Sequence, residues 1–241
     1  MLFIGNLKNH IPTQEYINKL ISYTFADEVW LSVPLVYIAK YGEQLKNANI
    51  KIGSQCVDLE QDFANRGEVF ANMLKDVGTD FVFLGHQTDK KFTSADYERR
   101  RQKIKSIIDA GMIAVVAVGE NMEECETGKV YQVVEKQIKE IFKGLDCDYS
   151  YDNLIIAYEP KWAIGTGLSV CTDDLETIIR NIKSMVESYG KGKYRLMFGG
   201  SCNVDNMPHY SQVEDIDGFV LSTASLDAEQ FAHILCGVKN K

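Results

Sequence analysis

The sequence predicts an α/β chain closed as a single (β/α)8 barrel over residues 1–241, and three observations lead there. Short apolar runs alternate with amphipathic stretches from one end to the other, which implies a parallel sheet. Eight such strand–helix units follow one another at intervals of about 30 residues. No Pro/Ser-rich linker or shift of composition interrupts them, so one domain is expected, of the size such a barrel needs. A doubly wound open sheet is the rival. It requires a point where the strand order reverses, which a sequence does not reveal.

Leu2 to Gly5 reads as the first strand, and Pro12-Thr13 opens a helix with Tyr16, Ile17, Leu20 and Ile21 on one side. Val29 to Val33 is the second strand, with a helix after Pro34. Ile50 to Ser54 is the third, followed by a polar loop and a helix holding Val69, Phe70, Met73 and Leu74. Phe81 to Leu84 is the fourth, and its helix repeats Tyr97, Arg101, Ile104 and Ile108. The run Arg99-Arg100-Arg101 in that helix is expected to be a solvated face rather than an anion site. Gly111 precedes the fifth strand, Met112 to Val118, an apolar run buried on both sides. Val130, Val134, Ile138 and Ile141 repeat at helical spacing, and Gly144 marks that helix's end. Leu154-Ile155-Ile156-Ala157 is the sixth strand. Its helix starts near Thr172-Asp173-Asp174, whose hydroxyl and acidic groups suit exposed amides. Leu175, Ile178, Ile179, Ile182 and Val186 form the inner face. Tyr194 to Phe198 is strand seven, with a helix including Met207 after it. Phe219 to Leu221 is strand eight, and Phe231, Ile234 and Leu235 belong to the last helix.

Composition narrows the function classes. A net charge of −8 with no basic stripe gives no support to a nucleic-acid surface. No apolar run reaches the roughly 20 residues that span a bilayer. The start, Met1 to Lys8, lacks a basic leader and a long apolar core, so a signal peptide is not expected. Six cysteines without a C-x-x-C pair are expected as free thiols of a reducing cytoplasm, not as zinc ligands. Only four histidines stand in the chain, which further weakens any metal reading.

Chemistry gathers where strands end in such a barrel. Asn6 and Lys8 follow strand one, His86 follows strand four, Glu159 strand six, Gly199-Gly200-Ser201 strand seven and Ser222-Thr223 strand eight. Alone, each has an ordinary reading: a surface cation, a loop histidine, a Gly-rich turn. Together they suit proton abstraction beside a carbonyl in a phosphorylated substrate. The stretch Tyr158-Glu159-Pro160-Lys161-Trp162-Ala163-Ile164-Gly165-Thr166-Gly167 reads as a base followed by a loop with an apolar tip and a small-residue hinge. Glu159 would take the proton, His86 would hydrogen-bond the oxygen, and Lys8 and Asn6 would steady its charge. Amides at Gly165, Ser201, Ser222 and Thr223 would hold the phosphate.

That stretch closely resembles the catalytic glutamate and lid of triosephosphate isomerase, the family after which the TIM barrel is named. The resemblance extends to Asn6-Leu7-Lys8, Phe83-Leu84-Gly85-His86, Val118-Gly119-Glu120, Gly199-Gly200-Ser201, Asp217-Gly218 and Ala224-Ser225-Leu226. The family is itself a standard illustration of a glutamate base, a neutral histidine and loop closure. The resemblance implies an aldose–ketose isomerase that interconverts glyceraldehyde 3-phosphate and dihydroxyacetone phosphate through an enediolate, without metal or organic cofactor. It also implies a place in glycolysis and gluconeogenesis, and a homodimer.

The chain departs from the family pattern at several positions. Gln87-Thr88-Asp89-Lys90 stands where the family has Ser-Glu-Arg-Arg, and Asp89 nearby would favour a charged His86. Ser222-Thr223 replaces Gly-Gly, where a positive φ would be costly. Phe198 replaces a lid-latching tyrosine, and Asn65-Arg66-Gly67-Glu68 replaces Phe-Thr-Gly-Glu in the interlocking dimer loop. These changes keep two alternatives open: an isomerase of another short phosphorylated sugar, such as a tetrulose phosphate, and a non-catalytic barrel that binds a phosphorylated metabolite.

Overall fold

The computed structural model describes residues 1–59, 67–85, 94–145, 153–189 and 194–237. Eight parallel strands form one sheet: β1 (Leu2–Asn6), β2 (Glu28–Ser32), β3 (Ile50–Ser54), β4 (Phe81–Leu84), β5 (Ile113–Val118), β6 (Leu154–Tyr158), β7 (Arg195–Gly199) and β8 (Gly218–Leu221). Each pairs with its neighbours in sequence, and β1 closes against β8 with Leu2 opposite Gly218 and Gly5 opposite Leu221. Closure leaves no sheet edge and rules out the open-sheet rival.

The two faces of the strands bury different things, as alternation requires. Leu2, Ile4, Trp30, Phe81, Phe83 and Met197 are among the residues that fill the barrel's interior. Trp30 and Phe81 meet with ring centroids 4.9 Å apart. Gly53 makes room for them, since a Cβ there would lie 2.4 Å from the Phe81 ring. The outward face, with Phe3, Leu31, Ile52, Val116, Ile156 and Phe219, packs against the helices.

The long helices start and bury as the residue pattern predicts. In α1 (Gln14–Ile21) the Thr13 side chain accepts from the Tyr16 amide, and Tyr16, Ile17 and Leu20 are buried. A short 3-10 turn, Leu35–Tyr37, leads into α2 (Ile38–Asn47). The helix after β3, α3 (Ala71–Asp76), is shorter than predicted. Val69 and Phe70 stay extended because Asp58 pairs with that segment, its amide donating to Val69 O at 2.8 Å. Within α3, Leu74 is buried, while Met73 is 50% exposed. A helix that periodicity does not signal, α5 (Met122–Glu126), forms from an Asn121–Glu124 capping box. It lies between α4 (Ser94–Asp109) and α6 (Val130–Phe142). Beyond β6 come α7 (Thr172–Tyr189), α8 (Met207–Tyr210) and α9 (Ala228–Gly237), and all five predicted core residues of α7 are buried.

The basic run on α4 is not a uniform solvated face. Arg99 is exposed, but Arg101 pairs with Glu98 and with Glu140 on α6, and Arg100 is only 7% exposed. α4 packs against α6 and against β4 and β5 and leaves another face to water, so adjacent arginines on it meet different surroundings. Among the described residues, Cys56, Cys125, Cys171, Cys202 and Cys236 are free thiols; Cys147 lies outside them. No described helix is long and apolar enough to cross a membrane.

Candidate active site

The predicted site residues that the structure describes converge on the C-terminal mouth of the barrel. Ile155 and Ala157 point inward on β6, so Glu159, two residues on, does the same. Its backbone still follows the sheet, with its amide donating to Val118 O at 2.7 Å. The side chain is 4% exposed and rests on Gly199, where an added Cβ would lie 2.7 Å from Glu159 Oε1. Gly199 is therefore small because the carboxylate occupies the space beside it. Glu159 Oε2 is buried and has no hydrogen-bond partner among the described residues. Burial raises the carboxyl from 4.5 to about 7, against an opposing pull from the Lys8 charge. A carboxyl held near neutrality is suited to taking and returning a proton at physiological pH.

Lys8 reaches the mouth from an unusual backbone. Its φ is +50°, in the left-handed region that side chains other than glycine seldom adopt. Two side chains hold it there. Asn6, itself buried, accepts the Lys8 amide at 3.1 Å, and Gln55 Nε2 donates to Lys8 O at 2.8 Å. Gln55 escapes sequence reasoning because it stands at the end of β3 with no motif around it. Strained backbone secured by neighbours is what a demanding position requires. His86 and the altered segment Gln87-Thr88-Asp89-Lys90 lie outside the described residues, as do Asn65 and Arg66.

The lid after Glu159 is anchored at its base. Trp162 Nε1 donates to Glu120 Oε1 at 2.7 Å, and the Tyr158 hydroxyl donates to the same carboxylate at 3.2 Å. Burial raises the Glu120 carboxyl, while Trp162 and Tyr158 favour its charged form. Gly165 and Gly167 take φ of +70° and +79°, which explains the glycines of the hinge. Ser201 Oγ donates to Ala163 O at 2.5 Å, linking the β7 loop to the lid. Phe198 does lack a hydroxyl, but Tyr210 packs edge-on against it at 5.0 Å and donates to Val170 O at 2.8 Å at the far end of the lid.

Gly165, Ser201, Ser222 and Thr223 line one cavity of about 230 Å³ between the lid and the ends of β7 and β8. Among the described residues no lysine or arginine lines it, so amides and hydroxyls are the donors they offer an anion there. The strain expected at Ser222-Thr223 is absent. Ser222 has φ −101°, and Thr223 begins a 3-10 turn that bends the chain with right-handed backbone. The Ser225 hydroxyl secures that turn by donating to Leu221 O and Ser222 O. Among the described residues no group of three His, Cys, Asp or Glu side chains is placed to hold a metal ion.

Comparison with known proteins follows the same outline. The family model for triosephosphate isomerase matches residues 1–238. A triosephosphate isomerase of Alkaliphilus oremlandii is 35% identical over 86% of this chain and 85% of its own. One of Aquifex aeolicus is 34% identical over 92% of each chain, and one of Finegoldia magna 34% over 97% of each.

Proposed function

The chain belongs to the triosephosphate isomerase family, and we propose that it interconverts glyceraldehyde 3-phosphate and dihydroxyacetone phosphate with Glu159 as the base. Glu159 removes the proton from the carbon beside the carbonyl, and the electron pair moves onto the carbonyl oxygen to give an enediolate. Lys8 and Asn6 stabilise the negative charge that forms, and His86 gives a proton to that oxygen and takes the hydroxyl proton from the neighbouring one, so the carbonyl re-forms there. Glu159 then returns the proton to the neighbouring carbon, and no outside oxidant or base is needed. The substrate's phosphate sits against Gly165, Ser201, Ser222 and Thr223.

One observation carries this reading: a buried carboxyl at about 7 that feels the Lys8 charge, beside a cavity of a size and polarity suited to a phosphate. The test is turnover of glyceraldehyde 3-phosphate in a coupled assay, with Glu159→Gln as control. Fast turnover that the control loses is expected. A folded wild-type protein without turnover would overturn the assignment, and the same assay with a four-carbon ketose phosphate would then identify a different sugar.

We read residues 1–241 as one domain, acting as a cytoplasmic homodimer. The free thiols support a reducing compartment. Large apolar side chains exposed in three successive units, Ile11, Val36 and Met73, support a subunit contact. Sedimentation velocity is expected to give twice the chain mass, and a single-chain mass at micromolar concentration would refute the dimer.

A further inference from the structure

The β4–β5 ladder ends at Leu84 and Val116. In register, the next two residues to face each other are Gly85 and Ala117, and a side chain from α4 enters between them. Arg100 Nη1 donates to Ala117 O at 3.4 Å. Its Nη2 lies 2.7 Å from where a Cβ on Gly85 would stand. Gly85 takes φ +86°, so its lack of a side chain serves both the turn and the approach of the guanidinium. Arg100 thus bonds to the end of β5 and packs against the end of β4, one residue beyond their last ladder pair.

That junction borders the base. Gly85, Arg100, Gln137 and Glu159 line one cavity of about 10 Å³, room for roughly a single water. Gln137, from α6, holds the Gly119 peptide from both sides: it accepts the amide at 2.8 Å and donates to the carbonyl at 3.0 Å. Gly119 in turn lies so close to the Glu159 carbonyl that a Cβ would fall 1.9 Å from its oxygen. Between the two supported residues stands Val118, whose carbonyl accepts the Glu159 amide. A shift of Ala117 is therefore passed directly to the backbone that carries the carboxylate.

We propose that Arg100 is a positioning residue of the isomerase: its guanidinium clamps the ends of β4 and β5 and so fixes the support on which Glu159 stands. A guanidinium is suited to this because its planar fork covers Gly85 and reaches Ala117 O at once, which a single ammonium cannot do. The proposal rests on the isomerase reading, and the test separates the two.

Wild type and Glu159→Gln are assayed first; a folded but inactive wild type takes down both readings together. With an active wild type, Arg100→Met is expected to lower kcat by about 10²-fold and leave KM within about threefold, the signature of a misplaced base. Arg100→Lys is expected to retain more, losing about tenfold. Guanidinium chloride below denaturing concentration is expected to restore part of the kcat of Arg100→Ala. Near-UV circular dichroism and thermal melting accompany each assay. Wild-type kcat in Arg100→Met overturns the proposal, and so does a loss that falls equally on Lys and Met and is matched by lost folded protein. If Arg100→Met does not fold, Arg100→Lys decides alone: a kcat within about twofold of wild type, too little for a displaced base, overturns it.

Discussion

Glu159 shows what burial does to a carboxyl and what that costs. Its value of about 7 comes first from lost hydration, with the Lys8 charge acting against it. As the proposed base, Glu159 must be ionised to accept a proton, so kcat/KM is expected to rise tenfold per pH unit below about 7 and level off above it. The substrate phosphate gains a proton near pH 6, so the limb is best read between about pH 6 and 8. A profile flat through that window would remove Glu159 as the base. The same shift bears on stability. The folded value lies above the unfolded 4.5, so the fold binds a proton that the unfolded chain has released. The stabilisation is full below the unfolded value and is lost as pH rises through about 7, amounting to about 3 kcal/mol. Glu159→Gln is therefore expected to melt higher than wild type at pH 8 and to lose that advantage at about pH 4, below both values. An advantage of equal size at both would point to packing instead of charge. Of these facts the sequence disclosed the residue and its place at a strand end. The desolvation came from Gly199 and the barrel wall, which no local pattern encodes.

At the scale of elements, the lid is tied by side chains from other units. Its N-terminal end is held by Glu120 after β5, its middle by Ser201 after β7, and its C-terminal end by Tyr210 of α8. Phe198 could be recognised from sequence as lacking a hydroxyl, but the hydroxyl supplied by Tyr210 could not. The two residues are twelve apart and meet only because α8 folds back beside β7. Tyr210→Phe frees the Val170 carbonyl while keeping the ring contact. It is expected to raise KM and lower kcat together, as lid residues do, with the melting temperature nearly unchanged. Unaltered kinetics would show that the lid's far end needs no anchor. The helices divide in the same way. α1 was legible because cap and apolar stripe agree, and α7 because its acidic first turn and apolar stripe do. α3 was misjudged at its start because Asp58, more than ten residues earlier, keeps Val69 and Phe70 extended.

For the molecule as a whole, the decisive contact joins its two ends. β8 meets β1 at Gly218, where a Cβ would fall 2.1 Å from Leu2 O. That oxygen is backbone, so a methyl group can be accommodated only by opening the seam. Gly218→Ala is expected to cost about 3 kcal/mol, the upper end of ordinary overpacking, read as a lower urea midpoint. Gly237→Ala, where nothing lies within 4 Å of an added Cβ, is the control. Equal midpoints in the two variants would mean that the seam yields without cost. The arrangement also accounts for the mouth: closure sets the ends of β1, β6, β7 and β8 around one opening. Lys8, Glu159, Ser201 and Ser222 then meet across more than two hundred residues of chain.

The residues alone settled the alternation of strand and helix, the family motifs and which side chains stand at strand ends, because periodicity, caps and turns are local properties. Three matters were decided only in three dimensions. The sheet closed instead of staying open because β8 found β1. The carboxyl of Glu159 rose because neighbours distant in sequence removed its water. Arg100, which local chemistry assigns to solvent like its neighbours, was buried because the gap between Gly85 and Ala117 exists only once β4 and β5 lie side by side. Each depends on groups far apart along the chain, and such proximity is a product of packing.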